Sequence, residues 1–171
     1  MLVVAALGGN ALLRRNEPLD AAAQTRNVKL AAASLAEIAA KHDLVITHGN
    51  GPQVGLLALQ SESVPGLPAF PLDVLNAETE GMIGYLCARE FRNHLPNREI
   101  ATLITQVEVD THDPAFKHPA KAIGPVYSYE EATQLAKTRG FRIKEEAAGG
   151  FRRAVASPEP KSILEIGRAH V

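Results

Sequence analysis

Apolar residues along this chain gather in short unbroken runs that end in glycine, separated by longer stretches in which they recur every three or four positions. The first run, residues 2–7, is Leu-Val-Val-Ala-Ala-Leu and stops at Gly8-Gly9. An uninterrupted apolar run of this length reads as a strand covered on both faces. Pro18 and Asp20 then open a helix expected to reach Lys41, with Val28, Ala31, Leu35 and Ile38 on one stripe. Residues 44–48 repeat the strand pattern, Pro52 starts a helix to about Gln60, and Pro65, Gly66, Pro68 and Pro71 mark a surface loop. Asp73 begins a further helix that Pro96 ends. Gly81 and Gly84 inside it are costly unless something approaches closely, which predicts a helix–helix or subunit contact.

Residues 100–109 read as a third strand, and residues 110–127, with Pro114, Pro119, Gly124 and Pro125, as a polar excursion from the sheet. Ser128-Tyr129-Glu130-Glu131 is a capping box and Gly140 the glycine just past a helix end. Residues 141–146 and 152–156 look like short strands about the turn at 147–150, and residues 161–166 like the start of another helix. Strands alternating with helices predict an α/β fold: a three-layer αβα sandwich with a largely parallel sheet and ligands at the carboxyl ends of its strands. Both glycine turns, Leu7-Gly8-Gly9-Asn10 and His48-Gly49-Asn50-Gly51-Pro52, fall at that edge.

Composition narrows the partners. The chain has 171 residues, 46% hydrophobic and 22% charged, enough to bury a core as one domain. A net charge of −1, with Lys and Arg spread along the chain, provides no footprint for nucleic acid or an anionic membrane and favours a small-molecule partner. The first apolar run is too short for a signal segment and lacks basic residues before it, and no later run reaches membrane-spanning length, so a cytoplasmic location is expected. Cys87 stands alone, which rules out a disulfide framework and predicts a small buried apolar residue rather than a nucleophile.

A strand that ends in glycines lets backbone N–H groups converge on an anion, and a following helix adds its positive end. Two such turns suggest one phosphate site built from Gly8, Gly9, Asn10, Gly49, Asn50 and Gly51. Neither is a common nucleotide loop: Gly9 is followed by Asn10, Ala11 and Leu12 where a P-loop needs Lys and then Ser or Thr, and the last gap in Gly49–Gly55 is one residue too long for the dinucleotide pattern. Other polar residues read structurally. His112 and His118 with Asp110 and Asp113 match no zinc spacing, so no metal site is expected there. His48 reads as a hydrogen-bonded packing residue, Arg152 and Arg153 as salt-bridge partners, and Glu78-Thr79-Glu80-Gly81 as a solvated helical face.

Taken in order, Ala6-Leu7-Gly8-Gly9-Asn10-Ala11-Leu12, Thr47-His48-Gly49-Asn50-Gly51-Pro52-Gln53-Val54-Gly55, Ala77-Glu78-Thr79-Glu80-Gly81-Met82-Ile83-Gly84-Tyr85, Thr105-Gln106-Val107-Glu108-Val109-Asp110, Asp113-Pro114-Ala115-Phe116, Lys121-Ala122-Ile123-Gly124-Pro125 and Arg152-Arg153-Ala154-Val155-Ala156-Ser157-Pro158 closely resemble carbamate kinase, of the amino acid kinase superfamily. The resemblance implies that family's fold with a small projecting subdomain. It also implies reversible phosphoryl transfer, ATP and carbamate giving ADP and carbamoyl phosphate, with Mg²⁺, in fermentative arginine breakdown, and a cytoplasmic homodimer. It makes Lys121 the lysine carried over the site to neutralise phosphate charge, and residues 110–127 the start of the projecting part. Two departures are expected to matter: His118-Pro119-Ala120 stands where the family usually has Asn and Thr near the first proline of the excursion, and the ATP-binding second half that the resemblance implies is expected to lie outside this sequence. Residues 1–166 are therefore expected to be a truncated, carbamate-binding part, inactive alone, and residues 167–171 a non-native tail. Two alternatives stay open: another amino acid kinase acting on a carboxylate, and a non-catalytic dimerisation module.

Overall fold

The computed structural model describes residues 1–14 and 17–164, with the side chain of Asn10 outside the description. Ile166 and the expected tail at 167–171 therefore lie outside the described residues. The chain divides into two compact units, Met1–Asn50 with Asn76–Leu103, and Gly51–Leu75 with Ile104–Val171.

In the first unit, β1 (Leu2–Leu7) and β2 (Asp43–His48) pair parallel and in register, from Leu2 opposite Asp43 to Leu7 opposite His48. A parallel pair needs a crossover helix, and α2 (Ala21–Ala39) supplies it. Asp20 caps α2, its carboxylate accepting the Ala23 N–H at 2.7 Å. The buried side of α2 carries Val28, Ala32, Ala36 and Ala39, one position round from the expected stripe; Ala31 and Leu35 pack at its edge. Helix α1 is one short turn, Gly9–Leu12. Leu12, 2% exposed, drops into a core of Leu7, Val28, Ile83 and Cys87, the last two from α4 (Leu72–His94). Each such side chain withdrawn from water is worth about 1.5–3 kcal/mol. Asn27 of α2 donates to the Leu12 carbonyl at 3.3 Å and to the Glu17 carboxylate, tying down the segment after the first glycine turn. Hydrogen bonds from Asn27, the Arg14 backbone and Arg26 hold Glu17 down to a pKa of about 2.

The second unit begins with α3 (Gly51–Ser61). It contains the antiparallel sheet β4 (Lys121–Tyr127), β6 (Phe151–Val155) and β5 (Arg142–Glu145), with β6 central. Helix α5 (Tyr129–Arg139) precedes β5 and carries the full capping box at Ser128 and Glu131, with left-handed Gly140 closing it, as expected. Val54 and Ala58 of α3 share a core with Leu75 and Ile123. Here α3 meets β4 backbone to backbone: a Cβ on Gly55 would lie 2.0 Å from the Gly124 Cα and N, and Gly124 itself has a φ of 76°.

Four expectations need correction. Leu2, Val4 and Val45 are 66%, 65% and 39% exposed, so β1 and β2 are covered on one face among the described residues, not both. Residues 101–106 form no strand; only β3 (Val107–Val109) does, and it pairs antiparallel with β7 (Pro160–Ile163) rather than extending a parallel sheet. Apolar sequence alone makes no strand without a neighbour to take its hydrogen bonds, and Leu103 and Ile104 stay exposed. Over residues 161–163 the expected helix is instead β7, anchored by Ser162 Oγ donating to Glu108 at 2.9 Å and Lys161 pairing with Asp110 at 3.1 Å, with Pro160 at the first strand position where a missing N–H is tolerated. Finally, the close approach at Gly84 comes from a loop residue, since a Cβ there would sit 2.1 Å from Thr102 Cγ2.

Gly55→Ala is expected to destabilise the protein by about 1–3 kcal/mol, because the added methyl must push backbone aside instead of rotating a side chain. Urea unfolding followed by tyrosine fluorescence in a Tyr85→Phe background, which leaves Tyr127 and Tyr129 of the second unit as the reporters, checks this; a midpoint equal to that of the same background without Gly55→Ala refutes the contact.

Candidate active site

The in-register pairing of β1 and β2 ends both strands at the same level, so the two glycine turns of the first unit emerge side by side. The Gly49 N–H reaches the Leu7 carbonyl at 3.4 Å, extending the ladder one step. Gly8 is extended (φ −67°, ψ 170°) and Gly9 opens α1. The Gly8 and Gly9 carbonyls accept from Ala11 at 2.9 Å and Leu13 at 2.8 Å. The N–H groups of Gly9 and Asn10, first in a helical turn, have no preceding turn to bond.

Nothing in the packing of the described residues requires glycine here. None of Gly8, Gly9 and Gly49 has a positive φ, and a Cβ on any of them would meet no atom within 4 Å among the described residues. The glycines leave bare backbone facing open space, the arrangement in which an anion approaches N–H groups without meeting a side chain.

Asn50 closes the second turn within a polar network on α4. Its Nδ2 donates to Asn76 Oδ1 at 2.7 Å and to Thr79 Oγ1 at 2.8 Å. Asn76 Nδ2 donates in turn to Glu80 Oε1 at 3.0 Å, and Thr79 Oγ1 donates to the Asn76 carbonyl at 2.9 Å. The expected donation from the Asn50 side chain to a phosphate is thus already committed elsewhere. The expectation of a solvated face at 78–81 holds for Glu78 alone, since Thr79 is 2% exposed and Glu80 half-buried. Sequence reasoning missed this network, although Asn76, Thr79 and Glu80 stand at i, i+3 and i+4, the spacing of one helical face.

Gly51 and Lys121 lie in the second unit. Gly51 begins α3, where a Cβ would be 3.9 Å from the Ala122 carbonyl oxygen, and Lys121, exposed, is the first residue of β4 opposite Val155. Arg153 forms an ion pair with Glu62 at 2.9 Å and stacks on Phe141 at 4.0 Å, whereas Arg152 donates through Nε to the Gly124 carbonyl at 2.9 Å. The remaining candidates have structural partners. His48 Nδ1 lies 3.4 Å from its neighbour's carbonyl. Asp113 caps the turn Pro114–Phe116, and Asp110 accepts the His112 N–H, a bond that with Lys161 lowers its pKa. Among the described residues no three His, Cys, Asp or Glu side chains form a cluster able to hold a metal.

Cys87 belongs to the core of the first unit, 8% exposed, and burial pushes its thiol up to about 11. Its alkylation by iodoacetamide at pH 8 is expected to run at least about 100-fold slower than that of a free thiol, whose pKa is near 8.5, and to become fast on unfolding. Rapid labelling of the native protein contradicts that placement.

No family model matches the chain. It is 53% identical to a carbamate kinase of Rhizobium meliloti over 167 residues, 97% of this chain and 51% of that protein. It is 54% identical to a carbamate kinase of Haemophilus influenzae over the same number, 54% of that protein. Among solved structures, carbamate kinase from Giardia lamblia bound to citric acid superposes with a TM-score of 0.88 at 40% identity, covering 96% of this chain and 55% of that one. The same enzyme bound to AMP-PNP gives 0.72 over 96% and 54%. The chain spans about half the length of the relatives it matches, and the α/β class expected from the alternating runs is theirs. Sequence and fold together make it a homologue of the carbamate kinases.

Proposed function

We propose that this chain carries the carbamoyl-phosphate side of a carbamate kinase, which as a whole transfers a phosphoryl group reversibly between ATP and carbamate. The observation that carries the reading is the open backbone at Gly8, Gly9 and Gly49 beside two strand ends in register, where neither conformation nor packing calls for glycine. Phosphoryl transfer runs through a loose transition state with charge spread over the moving group's oxygens, so fixed donors matter more than a covalent nucleophile. Here those donors are the N–H groups of Gly9 and Asn10, with Gly49, Asn50 and Gly51 forming the second wall. Carbamate is already an anion, so no general base is required.

Lys121 supplies a mobile positive charge to the transferred group in this reading. Its support is the resemblance, together with the nearness of the Ala122 backbone to Gly51 at the start of α3. ATP or ADP is the co-substrate, and Mg²⁺ would neutralise its phosphates; no cluster of ligating side chains among the described residues suits that ion, so none is assigned to it. The homodimer, the cytoplasm and arginine fermentation are the family's usual setting and complete the proposal. No described helix is long and apolar enough to cross a membrane.

Formation of ATP from ADP and carbamoyl phosphate by the intact gene product tests the reading. Gly9→Val should reduce kcat/KM by about 100-fold or more, the cost of losing oxyanion-type donors, while the melt barely moves because the side chain enters open space. Lys121→Ala should lower kcat by a similar factor with folding unchanged, and unaltered turnover removes Lys121 from the mechanism.

A further inference from the structure

The hydrogen bonds around Asn50 have a direction, and it is set from outside the turn. Glu80, as a carboxylate, has only acceptors, so the Asn76 group that faces it must be the NH₂. That leaves Asn76 Oδ1 as the acceptor at 2.7 Å from the Asn50 side chain, which must then donate. The second branch agrees independently. The hydroxyl hydrogen of Thr79 is spent on the Asn76 carbonyl, so at 2.8 Å from Asn50 the Thr79 oxygen can only accept. Both amide hydrogens of Asn50 are therefore claimed, and the side chain cannot flip without opposing oxygen to oxygen at two contacts. Thr79 is 2% exposed, which makes such a mismatch costly.

What remains of Asn50 is Oδ1. Among the described residues nothing donates to it, and it is not one of the buried side-chain atoms left without a partner, so it stays open at the second glycine turn. An acceptor presented there repels phosphate oxygens and suits an N–H donor. Carbamate and carbamoyl phosphate differ from other small acyl anions and acyl phosphates in one such group: an amino nitrogen whose lone pair is delocalised into the carbonyl, leaving it a donor only. We infer that Asn50 Oδ1, oriented by the Glu80–Asn76 relay and by Thr79, reads the substrate's amino group and selects carbamoyl phosphate over acyl phosphates of the same shape. The inference rests on the phosphoryl-transfer reading above. Asn50 is the residue that touches substrate, and Asn76, Thr79 and Glu80 are positioning residues.

Acetyl phosphate, with methyl in place of amino, is the probe. In the intact gene product, kcat/KM for carbamoyl phosphate with ADP is measured beside the Ki of acetyl phosphate in the same assay. Asn50→Ala is expected to lower kcat/KM for carbamoyl phosphate by about tenfold or more while the Ki of acetyl phosphate changes by less than about twofold, because a site built to bond an N–H discriminates only through that bond. Glu80→Gln keeps the shape but can offer NH₂ to Asn76. It frees the relay to reverse, and should narrow the preference in the same direction with little loss of stability. A merely structural role would weaken both compounds together, and that result, or a preference unchanged in both variants, overturns the inference while leaving carbamate kinase activity standing. A wild-type protein that makes no ATP from carbamoyl phosphate removes the functional reading and this inference with it.

Discussion

The parallel pairing of β1 with β2 is the interaction on which the candidate site depends. Its register, Leu7 opposite His48, brings together two turns separated by about forty residues of chain. A slip of one residue would move Gly49 along the ladder and turn the apolar positions of one strand to the other face. Register is held from both ends. At the far end the Asp43 N–H bonds the Met1 carbonyl at 3.1 Å, and Arg98 reaches Asp43 at 2.8 Å and the His42 carbonyl at 2.9 Å. At the near end Leu7 is locked into the core with Leu12, Val28, Ile83 and Cys87. Hydrophobic burial thus decides where the glycines stop, and the glycines decide what is left open.

Within the second unit a different constraint acts, the approach of α3 to β4 with no side chain between Gly55 and Gly124. Arg152 bonds the Gly124 carbonyl from the neighbouring strand, so the same peptide is gripped by a helix and by a guanidinium. Lys121 stands three residues earlier on β4, at a strand end whose course is fixed by this contact and by pairing to β6. The charge proposed for phosphoryl transfer is therefore carried by a long flexible side chain on a firmly seated backbone, a division of labour suited to a cation that must meet a moving group.

The parts of this fold legible in the sequence are those governed by local rules. The capping box at Ser128, the left-handed Gly140, the Asp20 cap and the strand ends at Gly8 and Gly49 each follow from a few adjacent residues. What was missed depends on neighbours distant in sequence. Residues 101–106 have strand composition, yet they join no strand ladder among the described residues, while Pro160–Ile163 becomes a strand because β3 lies alongside and Asp110 and Glu108 anchor its side chains. Gly84 announced a close approach correctly, but nothing local names Thr102 as the residue that fills it. The glycine turns could be located from the sequence; the commitment of Asn50 to α4 could not, because it takes the fold to set residues 50 and 76 at 2.7 Å.

That last point changes how the site's chemistry is divided. A turn rich in Gly and Asn invites the reading that every N–H, main-chain and side-chain, serves one anion. The directed bonds through Asn76, Thr79 and Glu80 separate the roles instead: backbone N–H groups at residues 9 and 10 remain for negative charge, and the Asn50 amide shows oxygen. A pocket that offered only donors would hold any small phosphorylated acid. One acceptor set among donors, and kept from rotating by a carboxylate two side chains away, supplies a rule for rejection, since an acyl phosphate lacking an N–H leaves that oxygen desolvated and unmatched. Selectivity in the inferred arrangement comes from the fixed direction of a hydrogen-bond chain, which gives residues on α4 with no place in a phosphate cradle a reason to be polar and bonded to one another around the buried Thr79.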